Sequence, residues 1–188
     1  MSTVTETNLS TIVPTGTWVV DPAHSKVGFA VKHMGVTTVR GEFREFGGAL
    51  EVREDVGSTR AYGMVEAASV DTNQPQRDEH LRSADFFAVE NNPALRFESK
   101  RIEPVDEDTF RLVGDLTING VTNEIELTAE LGGIEIGPEG EERIGLEVIG
   151  QLSRRDYRMR FNAALGSGNA VVADKVKLAL DIAAIRKG

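Results

Sequence analysis

The stretch FRLVGDLTINGVTNEIELTAEL, from Phe110 to Leu131, decides the fold class. Before Asn119, large apolar side chains recur at every second position: Phe110, Leu112, Leu116 and Ile118, with Gly114 in the same phase. That period belongs to a β-strand with one buried face. Asn119-Gly120 accepts the positive φ angles of a two-residue type I′ turn, and Val121, Ile125, Leu127, Ala129 and Leu131 continue the alternation beyond it. The turn sets the register: Ile118 faces Val121, Gly114 faces Ile125, Leu112 faces Leu127 and Phe110 faces Ala129. All lie on one face and alternate large with small, as the interior of a small barrel does. The other face carries Arg111, Asp115, Thr117, Thr122, Glu124, Glu126 and Glu130, and is expected to meet water. It also sets Asp115 opposite Glu124, a like-charge pair that costs a little and that nothing in the sequence explains.

Outward from this hairpin the same period repeats. Thr17 to Val20 is one short strand, ended by Asp21-Pro22; Val27, Phe29 and Val31 alternate with Gly28, Ala30 and Lys32. Thr37, Val39, Gly41 and Phe43 alternate with Thr38, Arg40, Glu42 and Arg44, and Gly47-Gly48 is expected to mark a bend before Leu50 and Val52. From Arg60 to Val70 both faces are apolar or small, so no register can be read. Ile144, Leu146 and Val148 are in phase within Arg143 to Ser153, as are Val176, Leu178, Leu180 and Ile182 within Val171 to Ile185. Gly137-Pro138-Glu139-Gly140 and Gly166-Ser167-Gly168-Asn169 read as loops. One helix is expected over Pro75 to Ser83, capped by Asn73 or Asp71. There is no internal repeat.

A sheet with one apolar face must cover it, and too few helices are present to do so. Closing the sheet on itself covers the face and removes both edges. The expected fold is therefore all-β: a closed antiparallel β-barrel of about eight strands with one or two short helices, spanning residues 16–188. Nineteen glycines against six prolines suit its corners. Residues 1–15 are polar with little periodicity and are expected to form a flexible tail.

A net charge of −9 disfavours nucleic-acid binding, which relies on basic patches, and simple adsorption to an anionic membrane. With no cysteine there is no disulfide, thiolate catalysis or Cys-ligated metal. No apolar run is long enough to span a bilayer, so no stable membrane insertion is expected. The opening MSTVTETNLSTIVP lacks the basic and then apolar profile of a secretory signal, which points to a cytoplasmic location. Whether the chain forms a homodimer is left open.

His24, His33 and His80 show no metal-ligand spacing, so no metal is expected; His24 is expected to hydrogen-bond a backbone group within its turn. No nucleophile elbow, phosphate-binding glycine fingerprint or HExxH motif is present. The one basic cluster in this acidic chain is Arg154-Arg155-Asp156-Tyr157-Arg158-Met159-Arg160. Its bland reading is a solvated loop paired with nearby acids. Its sharper reading makes Arg154, Arg155 and Arg158 candidates for a cationic mouth that holds a diphosphate or quinone head group, because arginine forks match phosphate oxygens.

Several stretches, in order, resemble the YceI-like proteins: Trp18-Val19-Val20-Asp21-Pro22-Ala23-His24-Ser25, Val31-Lys32-His33-Met34, Val39-Arg40-Gly41-Glu42-Phe43 and Ala68-Ser69-Val70-Asp71-Thr72. Asp78-Glu79-His80-Leu81-Arg82-Ser83-Ala84-Asp85-Phe86-Phe87 and Gly114-Asp115-Leu116-Thr117-Ile118-Asn119-Gly120-Val121-Thr122 follow. The resemblance runs from about residue 17 to 185. It implies a lipocalin-like barrel that binds a polyisoprenoid or similar amphiphile, as carrier, store or sensor in isoprenoid or quinone metabolism or stress response. Many relatives carry a secretion signal, whose pattern is not expected in the opening residues here, and Arg158 stands where relatives tend to have glycine.

A polyprenyl chain offers no hydrogen bonds, so its affinity must come from apolar burial, about 0.8 kcal/mol per CH₂-sized group and roughly 3 to 4 kcal/mol per five-carbon unit before ordering costs. By strand parity Phe29, Val31, Val39, Phe43, Phe97, Leu112, Leu116, Leu127 and Leu146 are expected to line a tunnel, with Leu81, Phe86 and Phe87 closing one end. The expected ligand is a prenyl quinone or polyprenyl diphosphate, with no other cofactor. Inward positions are almost all apolar, which favours binding over catalysis. The competing readings are an enzyme acting on a lipid held in the barrel and a barrel filled by its own side chains.

Overall fold

The computed structural model describes residues 9–163, 165–167 and 170–187. Its strands are β1 (Gly16–Val20), β2 (Lys26–His33), β3 (Thr37–Phe43), β4 (Phe46–Val52), β5 (Arg60–Glu66), β6 (Val70–Asp71), β7 (Ala94–Pro104), β8 (Thr109–Ile118), β9 (Val121–Ile136), β10 (Glu142–Ser153) and β11 (Val172–Lys187). The first six pair end to end as three bent staves. A 3₁₀ turn at Pro22–His24 joins β1 to β2, Arg44-Glu45 joins β3 to β4, and a second 3₁₀ turn at Ala67–Ser69 joins β5 to β6. These three staves and β7 to β11 make an eight-stranded antiparallel meander. It closes where β11 pairs with both β1 and β2, Val19 opposite Ile185 and Phe29 opposite Leu178. Closure leaves no long edge exposed, which is the physical reason a sheet with one apolar face adopts it.

The central hairpin has the register that its turn dictates. Ile118 pairs with Val121, Gly114 with Ile125, Leu112 with Leu127 and Phe110 with Ala129, and Asn119 and Gly120 take φ values of 53° and 72°. The like-charge pair on the outer face is bridged from the neighbouring strand. Ser99 pairs with Gly114 and Arg101 with Val113, so Lys100 is a bulged extra residue in β7. Lys100 Nζ lies 3.3 Å from Asp115 and 3.5 Å from Glu124.

Several expectations are corrected. Residues 9–15 are not tail: a helical turn, α1 (Leu9–Ile12), seats Leu9 and Val13 in the core. Trp18 anchors this plug, its indole N–H donating to the Pro14 carbonyl at 2.9 Å. Residues 1–8 lie outside the described residues. Gly47-Gly48 lies within β4 and marks no break; a Cβ on Gly48 would sit 2.4 Å from the Tyr62 carbonyl oxygen, so glycine is there for close strand approach. The helix over the expected span is α2 (Pro75–Arg82), and its N-cap is Gln74, whose side chain accepts from the Gln76 N–H, because Asp71 already accepts from Asn73. His24 pairs through Nδ1 with the Asp21 carboxylate at 2.8 Å, not with backbone. The Gly137 to Gly140 loop is present; Gly168 and Asn169 of the other loop lie outside the described residues.

One end of the barrel is packed shut. Val13, Trp18 and Val52 are fully buried, with Ile102, Phe110, Ile144 and Ala184 around them. The other end is capped by α2, by Phe86 and Phe87 after it, and by the segment after β10, which contributes Tyr157, Met159 and Phe161.

Candidate functional site

Between the plugged end and α2 the barrel is hollow. Two chambers follow one another along it, of about 240 Å³ toward the plug and about 270 Å³ toward α2. Both are lined by Phe29, Phe43, Leu95, Ile118, Leu152 and Leu178, which form the neck between them. Together the chambers fall in the roughly 300–1,000 Å³ range of small-molecule sites.

The nine residues expected to line a tunnel and the three expected to close one end all border this cavity. Phe97, Leu112, Leu116, Leu127 and Leu146 line the inner chamber; Val31, Val39, Leu81, Phe86 and Phe87 line the outer one; Phe29 and Phe43 belong to both. Aromatic rings run along the wall at the neck, with Phe29 5.6 Å from Phe43 and Phe43 5.6 Å from Phe87. Glycines make room for these large side chains. A Cβ on Gly41 would lie 2.4 Å from the Phe29 ring, one on Gly114 2.8 Å from the Phe97 ring, and one on Gly150 2.4 Å from Leu127. Each bulky residue thus lies flat over a glycine of the adjacent strand, and the barrel axis stays open.

Ile125, Val148 and Leu180 also line the cavity and share the inward phase of residues that were recognised. Thr72, Arg77, Met159 and Phe161 were missed for a different reason. They sit on connections, where strand parity says nothing.

Tyr62 and Arg96 border the inner chamber, and most of the polar side chains gather at the outer end. Arg77 donates through Nε to the Thr72 hydroxyl at 2.7 Å and through Nη2 to the Thr72 carbonyl at 2.8 Å. Thr72 in turn donates to buried Asp78 and takes its backbone bond there too. This relay fixes the guanidinium beside His33 and His80 at the rim of the outer chamber. His80 Nε2 pairs with Asp85 at 2.9 Å, and its ring stands edge-on to Phe86 and Phe161. The three histidines therefore occupy three separate settings, the β1–β2 turn, the end of β2, and α2.

The basic cluster does not form a cationic mouth. Arg154 lines the outer chamber but is buried, and its guanidinium donates to the carbonyls of Ala173, Met159, Phe161 and Val172. Burial pushes its pKa down, and the carbonyl set holds the charge in place as a brace between β11 and the segment after β10. Arg155 is exposed and pairs with Asp174. Arg158 is exposed and borders neither chamber; it caps the 3₁₀ turn Arg154–Tyr157 in the left-handed region, at φ 60° and ψ 19°. Besides Arg154, the cations that line the outer chamber are Arg77, from α2, and Lys32, from β2.

Comparison with known proteins agrees with this architecture. A UPF0312 protein of Staphylococcus epidermidis is 36% identical over 159 residues, which cover 84% of this chain and 90% of that protein. Among solved structures, Burkholderia cenocepacia BcnA superposes with a TM-score of 0.74 at 19% identity, covering 87% of this chain and 98% of that one. A Saccharophagus degradans structure described as a polyisoprenoid binding domain superposes with a TM-score of 0.67 at 16% identity, covering 90% and 98%. The model of the YceI-like domain matches residues 18–184, so this chain belongs to the YceI-like family.

Proposed function

We propose that this barrel encloses a polyisoprenoid or similarly long amphiphilic lipid, tail toward the plug and head group toward α2. The observation that carries the reading is the shape and polarity of the cavity: an apolar bore whose two chambers meet at Phe29 and Phe43, closed at the plugged end, with most of its polar side chains toward the other. A methyl-branched chain supplies what such a wall rewards, at about 25 cal/mol per Å² of apolar surface buried. The likeness in fold to a structure described as a polyisoprenoid binding domain supports the same reading.

Head-group chemistry follows from the rim. Arg77 keeps guanidinium N–H groups there beyond the two that bond Thr72, so a head group that accepts hydrogen bonds fits: a quinone carbonyl or a diphosphate oxygen. A prenyl quinone or polyprenyl diphosphate held as a carrier's, store's or sensor's cargo meets both requirements.

Protein purified without detergent is expected to release a host isoprenoid on organic extraction, and native mass spectrometry is expected to show a matching added mass. Preparations that yield no lipid and take up no added prenyl quinone would defeat the reading.

A further inference from the structure

We infer that the α2 end of the barrel carries a docking surface for an anionic lipid bilayer, built from the β2–β3 hairpin tip and the described residues of the segment that follows β10. The tip exposes apolar side chains that nothing else in the fold uses. Val36 is 77% exposed and Met34 39%. The tip is held in place, with Met34 and Gly35 at positive φ and the Met34 N–H donating to the Val171 carbonyl at 2.8 Å.

Charge separates this surface from the rest of the molecule. A chain with 30 acidic residues has none from Val27 to Gly41 and none from Tyr157 to Ala173. The fold brings described parts of these two stretches together. His33 pairs with Val172, the Val171 N–H donates to the Ala163 carbonyl, and Asn162 bonds Val172 through both side-chain atoms. Arg40, Arg158 and Arg160 lie exposed within these two stretches and make no ion pair among the described residues. The acids of this end flank the stretches: Asp156 precedes the second and Asp174 follows it, Asp174 paired with Arg155, while Glu79 and Asp85 lie on the α2 side, Asp85 paired with His80. The overall −9 would repel an anionic surface at long range, but it is screened beyond about 10 Å at moderate salt. Close in, an apolar tip flanked by arginines is the pairing of features that holds proteins at an anionic interface.

Position gives the patch its use. Val31, Lys32 and His33 of the same hairpin, with Val171 and Val172, line the outer chamber. A bilayer seated on the tip therefore lies against the cavity mouth, and a lipid can pass between the two without crossing water. Docking is read without cargo, so its failure would leave the cargo reading standing.

The test is co-sedimentation with vesicles of phosphatidylcholine alone and of phosphatidylcholine mixed with phosphatidylglycerol. Wild type is expected to pellet with the mixed vesicles, less at high salt, and hardly with the neutral ones. Val36→Glu and Arg40→Glu, which touch neither the cavity nor the core, are expected to weaken binding at least about fivefold each. Lys187→Glu makes the same charge change at the plugged end and is expected to leave it unaltered. A wild type that ignores mixed vesicles overturns the inference. So does equal weakening by Lys187→Glu, which would reduce the effect to net charge. A homodimer that Val36→Glu dissociates, in a protein that binds no vesicles, would assign the tip to a second copy instead.

Discussion

Lys100 removes a cost that the hairpin register imposes. Asp115 and Glu124 must face each other once Asn119-Gly120 makes its turn, and two carboxylates opposite one another repel. A β-bulge re-aims its extra residue, and here it turns Lys100 outward so that one ammonium serves both acids. Asp115 foremost, with Glu124, holds the ammonium pKa above its ordinary range. The bulge was illegible because Lys100 differs in no visible way from its neighbours, whereas Asn119-Gly120 was legible because few residue pairs accept two positive φ angles. Arg158 is a second case. It occupies the left-handed region at φ 60°, which costs a residue with a Cβ about 1–2 kcal/mol, and glycine there would pay roughly 0.5–1 kcal/mol in extra chain entropy. Arg158→Gly is therefore expected to stabilise the protein by about 0.5–1 kcal/mol, read as a higher urea midpoint with an unchanged slope.

Among the elements, β8 and β9 announced themselves because each has one wet and one dry face. Their parity makes a sharp comparison. Leu112→Trp adds bulk inside the inner chamber, where there is room for it, and is expected to lose most bound lipid while keeping most of its thermal stability. Arg111→Trp, one position away on the outer face beside Glu103 and Glu126, is expected to keep its lipid. A Leu112→Trp protein much less stable but still loaded would place that side chain in a filled core, where overpacking costs about 1–3 kcal/mol. The elements that stayed hidden are those whose structure comes from tertiary burial. Four residues of α1 could not hold a helix alone; Leu9 and Val13 are ordered because the barrel end accepts them. The rim was misassigned for a similar reason. Runs of arginine draw attention, but Arg154 is spent on backbone carbonyls, while lone Arg77 is placed at the mouth by a helix and by Thr72.

At the scale of the whole molecule, carboxylates on the outer wall tie the staves together and set the acid limit of stability. Asp21 is held below its ordinary value of 3.8 by His24 and Arg143, Asp71 below 3.8 by the Asn73 N–H and Arg44, and Glu103 below 4.5 by Arg101 and Arg111. A carboxylate whose pKa is lower folded than unfolded contributes stability that is complete above its ordinary value and disappears as the pH falls through the folded one. Glu66 runs the other way, since a hydrogen bond with Glu45 raises it. These three, with Asp106, Glu141 and Asp174 also lowered, outnumber it, so the melting temperature is expected to hold steady above about pH 5 and to fall below about pH 4. Asp21→Asn is expected to lower the plateau and flatten the descent, and an unchanged acid slope would show that Asp21 has no part in it.

The plug at Val13, Trp18 and Val52 has a consequence for sorting by size. A bore open at both ends would accept a tail of any length, but this one is a blind well, and whatever goes in tail-first must leave head-first by the same door. Its floor acts as a depth gauge. A tail that stops short leaves wall unclad, forfeiting about 0.8 kcal/mol for each CH₂-sized gap, and a tail that bottoms out early strands its head group above Arg77. Isoprenoids lengthen only in whole five-carbon steps, so with the proposed cargo the well would sort its contents by integer count.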